Sequence, residues 1–96
     1  MLFSPREAEH IRSLRAPEIG FCASFGCKEA FFKAVRRPFR WTECEFFPDP
    51  DREEGPVHLS DALRREIGGS ASARVLPGPA GEWICLVYWW AEEAPP

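Results

Sequence analysis

A chain of 96 residues, 45% hydrophobic and 14% aromatic, is long enough for one packed core and too short for two. The net charge of −3 and pI near 5.4 exclude a general nucleic-acid binder, which would carry a basic stripe. Met1 to His10 has charges and a proline where a secretory leader or a membrane span has an apolar run, so the expected compartment is the cytoplasm.

Without an export signal, Cys22, Cys27, Cys44 and Cys85 are expected to be reduced and to act as small core residues. Cys22 and Cys27 are too widely spaced for a zinc knuckle, and neither His10 nor His58 stands at a ligand spacing from them. In chain order, Ser4-Pro5-Arg6-Glu7 has a hydroxyl N-cap, a proline at the first helical position and a glutamate at the third, which is a capping box. A first helix should run from there to about Arg15, with Ala8, Ile11 and Leu14 as its apolar stripe and Arg6, Glu9, Arg12 and Arg15 in solvent. Pro17 and Gly20 should then break the chain.

The spacing predicts a central helix from about Phe21 to Val35, with Phe21, Phe25, Lys28 and Phe32 within one narrow arc and Glu29 and Lys33 one turn apart beside it. Gly26 leaves that surface bare, which suits a close approach by another element. Pro38 ends the helix. Phe39 to Phe47 is aromatic enough for a strand on which Glu43 and Glu45 share a face. Pro48 to Pro56 is an exposed loop, and Val57 to Leu59 a short strand. Ser60-Asp61 caps a brief helix through Ile67, with Gly68-Gly69 as its stop. Ala73 to Leu76 and Glu82 to Trp90 are strands joined at Pro77 to Gly81, the second apolar on both faces and so expected centrally in a sheet or partly in a subunit interface. Glu92 to Pro96 should be frayed. The expected fold is a single α+β domain over residues 1–96, a small antiparallel sheet of about three to four strands packed against a long central helix and an N-terminal helix.

Phe25-Gly26-Cys27-Lys28-Glu29-Ala30-Phe31-Phe32-Lys33-Ala34 resembles the signature of the 4'-phosphopantetheinyl transferase superfamily. That signature has an aromatic, two small or variable residues, Lys-Glu-Ala or Lys-Glu-Ser, two more residues, and a second lysine followed by alanine. Phe3-Ser4-Pro5-Arg6-Glu7 is similar to the family's Phe-Ser-x-x-Glu helix start. Trp41 to Glu45, followed by Gly55-Pro56-Val57-His58-Leu59, resembles its strand, acidic loop, Gly-(Lys)-Pro and strand. The likeness, to short holo-acyl-carrier-protein synthases in particular, runs from about Phe3 to Gly69.

The resemblance implies transfer of the phosphopantetheine arm of coenzyme A to a serine of an acyl or peptidyl carrier protein, with magnesium. It makes Glu29 a magnesium ligand and a candidate base, and Lys33 the group on the transferring phosphate. Lys28 would reach towards the phosphates or ribose, and Gly55, Pro56 and His58 would border the nucleotide. Such chemistry needs a hard cation and ammonium groups around the pyrophosphate and a carboxylate to take the serine proton. Read without the resemblance, Glu29 and Lys33 are an ordinary surface ion pair. The alternative that keeps the resemblance is a non-catalytic coenzyme A-binding or oligomerisation module that retains the fold but lacks a complete metal site. Arg36, Arg37 and Arg40 form a basic cluster suited to a 3'-phosphate or an acidic carrier protein. The pattern departs from the family in three places: no Gly-x-Asp strand precedes the first helix, Ser72 to Gly81 lacks the Ser-x-Ser-His segment, and Ser24 stands where short relatives often have arginine. Glu43 or Glu45 would have to join Glu29 at a metal. Short relatives complete their sites between subunits, so a homo-oligomer or a complementary chain is expected, with the last strand as its adhesive surface.

Overall fold

The computed structural model describes residues 1–91 as helices α1 (Pro5–Arg12), α2 (Pro17–Val35) and α3 (Asp61–Ile67) and strands β1 (Cys44–Glu45), β2 (Glu54–Leu59), β3 (Gly69–Pro77) and β4 (Trp83–Ala91). The strands form one antiparallel sheet in the order β1-β2-β3-β4, with α2 packed across it, so the chain has the expected α+β fold with a sheet of four strands. No helix among the described residues is long and apolar enough to cross a membrane.

The helix signals act where the sequence puts them. Ser4 Oγ accepts from the backbone N–H of Glu7 at 3.1 Å, and Ser4 N–H donates to Glu7 Oε1 at 2.9 Å, closing the capping box. α1 stops at Arg12, one turn short of the expected end, because Ser13 closes it by donating its N–H to Glu9 and His10. Pro17 does not break the chain. It occupies the first turn of α2, where a missing N–H leaves no bond unmade. Gly20 lies inside α2 at its crossing with α1, where an added Cβ would stand 2.8 Å from Leu14 Cδ1 and 3.0 Å from Ile11 Cγ2. At the other end of α2, Arg36 takes the left-handed conformation, φ 53°, and its N–H returns to Phe32 O. Ser60 caps α3 by accepting from Leu63 N–H, and Gly68, at φ 65°, ends it in the conformation that favours glycine.

The expected strand from Phe39 to Phe47 is reduced to Cys44–Glu45. Trp41–Glu43 forms a 3-10 turn instead, so Glu43 and Glu45 do not share a strand face. The aromatic residues of this segment are used on α2: the Trp41 ring stacks on Phe25 at 5.6 Å and on Phe32 at 6.3 Å. β2 and β3 each begin earlier than read, at Glu54 and Gly69. β4 pairs with β3 at every position from Gly69↔Ala91 to Pro77↔Trp83. It lies at the edge of the sheet, not in its centre, with β3 as its one neighbour among the described residues. The reading of 92–96 as frayed lies outside the described residues.

Cys27 and Phe31 of α2 pack with Cys44, Phe46, Val57, Leu63, Ile67, Ala71 and Ala73 to make the core. The expected apolar arc of α2 is thus correct only at Lys28. Phe25 and Phe32 are 39% and 41% exposed, while the buried positions are Gly20, Ala23, Ser24, Cys27, Lys28 and Phe31. The sheet reaches α2 over small side chains: a Cβ added at Gly26 would sit 2.6 Å from Cys85 Sγ. That sulfur also bonds the Ala23 carbonyl at 3.7 Å. Gly26→Ala should lower the unfolding midpoint by forcing Cys85 off Ala23, despite alanine's helix preference of about 1 kcal/mol. In a Cys85→Ala background the same change should raise it, and thermal unfolding of the four variants measures the reversal.

Candidate functional site

The functional motifs meet at a buried ion pair. Glu7 of α1 and Lys28 of α2 both have zero exposure, and Lys28 Nζ stands 2.6 Å from Glu7 Oε1. The three protons of the ammonium go to Glu7, to the Leu2 carbonyl at 2.8 Å and to the Trp41 carbonyl at 2.6 Å, with the Phe3 ring 5.5 Å away. Glu7 Oε1 also accepts from Ser4 N–H, and Oε2 accepts from Ser24 Oγ at 3.1 Å and Phe46 N–H at 2.9 Å. Both charges are therefore fully bonded, the condition under which a buried pair is tolerated.

This arrangement corrects the expectation for Lys28, whose ammonium is turned inward and saturated, with no proton left for a phosphate or a ribose. Sequence reasoning missed Glu7 as its partner. Ser4-x-x-Glu7 was legible as a cap, but nothing local indicates that the same carboxylate reaches across to α2.

Glu29 and Lys33 project from the solvent face of α2, 3.3 Å apart, with side chains 46% and 73% exposed. Gly55, Pro56 and His58 do come together, in an open groove of about 580 Å³ whose walls include Arg52, Arg64 and Trp90. Ser72 Oγ donates to the Gly55 carbonyl across it at 2.9 Å. Along β2 and β3, Pro56, His58, Ser70 and Ser72 alternate with the buried Val57 and Ala71, so the groove lies on the sheet face opposite α2. No residue of α2 lines it. One chain thus assembles the nucleotide-side residues of the resemblance and keeps the Glu29–Lys33 pair apart from them.

The groove has the chemistry for an anion with a flat ring. Arg52, Arg64 and His58 outnumber its one carboxylate, Glu54, and Trp90 offers an aromatic face. In the adjoining hollow Arg74 is held above its ordinary pKa by a hydrogen bond with Tyr88 and by Glu53, whose Oε1 accepts from Nη2 at 2.9 Å. Its buried Nε has no acceptor among the described residues. Of the basic cluster at the end of α2, Arg37 is structural, donating to the Glu66 carbonyl of α3 at 2.7 Å.

No group of three or more His, Cys, Asp or Glu close enough to hold a metal occurs among the described residues. Glu45, an expected second ligand, is instead bonded by Ser4 Oγ and by the Arg6 guanidinium. Glu29 alone suits a magnesium ion that arrives on a pyrophosphate and keeps several waters. When bound, such an ion would neutralise phosphate charge. Cys27 and Cys44 are not candidate nucleophiles: burial pushes Cys44 up to about 12, and Cys27 is raised by its hydrogen bond with Cys85 and by burial. No family model, no curated protein and no solved structure matches this chain.

Removing one member of the buried pair strands the other. Lys28→Met should destabilise by about 3–5 kcal/mol, and its cycle with Glu7→Gln should be non-additive by at least about 0.5 kcal/mol in urea unfolding. Glu45 carries a separate, pH-dependent contribution. Burial pushes its carboxyl up, but hydrogen bonds from Arg6 and Ser4 and the charges of Arg6 and His58 outweigh this and hold it below its ordinary value of 4.5. A depressed carboxyl stabilises the fold above its unfolded pKa and loses that effect as pH falls through its folded pKa. The urea midpoint of the wild type should therefore drop below pH 4.5 more steeply than that of Glu45→Gln.

Proposed function

We propose that this chain is a cytoplasmic phosphopantetheinyl transferase of the holo-acyl-carrier-protein synthase type, or a half-sized relative of one, that binds coenzyme A in the β2–β3–β4 groove. The observation that carries this reading is the buried Glu7–Lys28 bond. It joins the two sequence elements on which the resemblance rests, Phe3-Ser4-x-x-Glu7 and Lys28-Glu29-Ala30, in one physical unit. The arginines, His58 and Trp90 of the groove suit the phosphates and adenine of the nucleotide.

In the transfer itself, the serine oxygen of a carrier protein attacks the pantetheine-bearing phosphorus of coenzyme A. A P–O bond to that oxygen forms and the pyrophosphate P–O bond breaks, releasing 3',5'-ADP. Glu29 takes the serine proton, and Lys33 stands beside the phosphoryl oxygens as they gain charge. Magnesium belongs to the same proposal: Glu29 would hold it, and it would supply charge neutralisation at the phosphates. Because the pair and the groove lie on opposite faces of one chain, a second chain must bring them to one coenzyme.

A second reading, a coenzyme A-binding module without transfer, is favoured by that same separation and by the inward-turned Lys28. Coenzyme A at a hundred times its dissociation constant should stabilise the protein by about 2.7 kcal/mol in a thermal shift, and Arg52→Ala or His58→Ala should diminish the shift. With a fluorescent coenzyme A analogue, apo carrier protein and magnesium, Glu29→Gln and Lys33→Ala should each lower label transfer by about a hundredfold or more while keeping the shift. A shift without transfer in the wild type selects the binding module. No shift and no transfer overturn both.

A further inference from the structure

We infer that β4 is a self-pairing edge, through which two copies of this chain form a continuous antiparallel sheet across a two-fold axis at Val87. Beyond the coenzyme A reading, this needs neither ligand nor metal. An edge strand presents a row of unpaired N–H and C=O groups, and soluble proteins shield such rows with charge, proline, a bulge or a covering element. β4 has none of the first three. From Trp83 to Ala91 it contains no charged residue, no proline and no glycine, and it keeps regular register with β3 over all nine positions.

Its side chains are equally unprotected. Trp83, Ile84, Leu86, Tyr88, Trp89 and Trp90 are each between 39% and 49% exposed. Aromatic side chains bury about 150–250 Å² each, so these four aromatic and two aliphatic residues leave at most about 500 Å² per copy for a partner to cover. Two copies could bury at most about 1,000 Å² of it together, the lower bound for a specific interface.

The order of residues selects a second copy as the occupant. Around Val87 an antiparallel pairing sets Ile84 against Trp90, Leu86 against Tyr88 and Cys85 against Trp89. An aliphatic residue or a thiol then meets an aromatic one at each of these positions, and no charge meets a like charge. The strand offers a foreign partner no charged group by which it could be selected. It offers its own copy apolar contacts along the whole length.

The test is a charge swap at Leu86 and Tyr88, which point away from α2 and would be opposite one another across the axis. In light scattering without coenzyme A or magnesium, the wild type should be a dimer. Leu86→Lys with Tyr88→Lys sets two like-charge pairs across the axis and should raise the dissociation constant about a hundredfold, giving monomers. Leu86→Glu with Tyr88→Lys makes the same number of changes but opposes unlike charges, and should restore the dimer. Circular dichroism follows folding in each case, and the Glu/Lys variant is informative even if the Lys/Lys variant unfolds. A monomeric wild type, a folded Lys/Lys variant that stays dimeric, or a Glu/Lys variant that fails to dimerise would each overturn the inference. The dimer is assayed without coenzyme A, and the thermal shift of the wild type decides the coenzyme A reading separately.

Discussion

The bond between Glu7 and Lys28 is the constraint on which this fold turns. Two opposite charges with no exposure are tolerable only when every proton and lone pair is matched, and here the partners come from widely separated segments: Leu2, Ser4, Ser24, Trp41 and Phe46. None can be displaced without leaving a buried polar group unsatisfied. The pair therefore fixes α1, α2 and the turn before β1 relative to one another more sharply than apolar contact would. Ser24 has a part in this network: its hydroxyl contacts both Glu7 and the Phe46 carbonyl.

The rotation of α2 follows from that bond. With Lys28 held inward, Glu29 is turned about 100° around the helix, and Lys33 lies one turn beyond it. Their exposure is a geometric result of burying Lys28, whatever their chemistry. On the sheet side the same rotation presents Ala23, Gly26 and Cys27 to β4, so helix and hairpin approach over small groups. Phe25 and Phe32 are left outside, and Trp41 and Phe39 cover part of them.

How far this was legible depends on the range of the interaction. The caps at Ser4 and Ser60 and the stop at Gly68 are local, and the sequence states them directly. The hairpin is nearly as plain, from the turn residues between two apolar runs. Periodicity misplaces the inward face of α2 because it weights large apolar residues, and here the large ones stack on a neighbouring aromatic turn while the small ones are buried. β1 was overextended for the same reason: Phe39 and Trp41 look like strand residues but serve as a cover for α2. The partner of Lys28 was not legible, since two of its three acceptors are backbone carbonyls that any residue type supplies. In the groove, Gly55, Pro56 and His58 lie within four residues of one another in sequence and stay together. Arg52, Arg64 and Trp90 were not associated with them, because only the register of β2, β3 and β4 brings them to one face.

A β4 dimer and a completed transfer site are separate matters, and sheet geometry shows why. Antiparallel edge pairing places its two-fold axis roughly perpendicular to the sheet, so each face of one copy continues as the same face of the other. Both grooves would then open on one side of the extended sheet, and both Glu29–Lys33 pairs would stand on the helical side. The dimer would cover the apolar edge without moving either half-site towards the other. Transfer to a carrier serine would require a further contact in which the groove face of one chain meets α2 of another. The surfaces left for it are the polar groove, with its arginines, and the exposed acid-base pair on α2, which are complementary to phosphates and to charged partners and have little apolar area to offer. Such a contact would form around the coenzyme, not ahead of it, and the ligand itself would supply most of the attraction between the two chains.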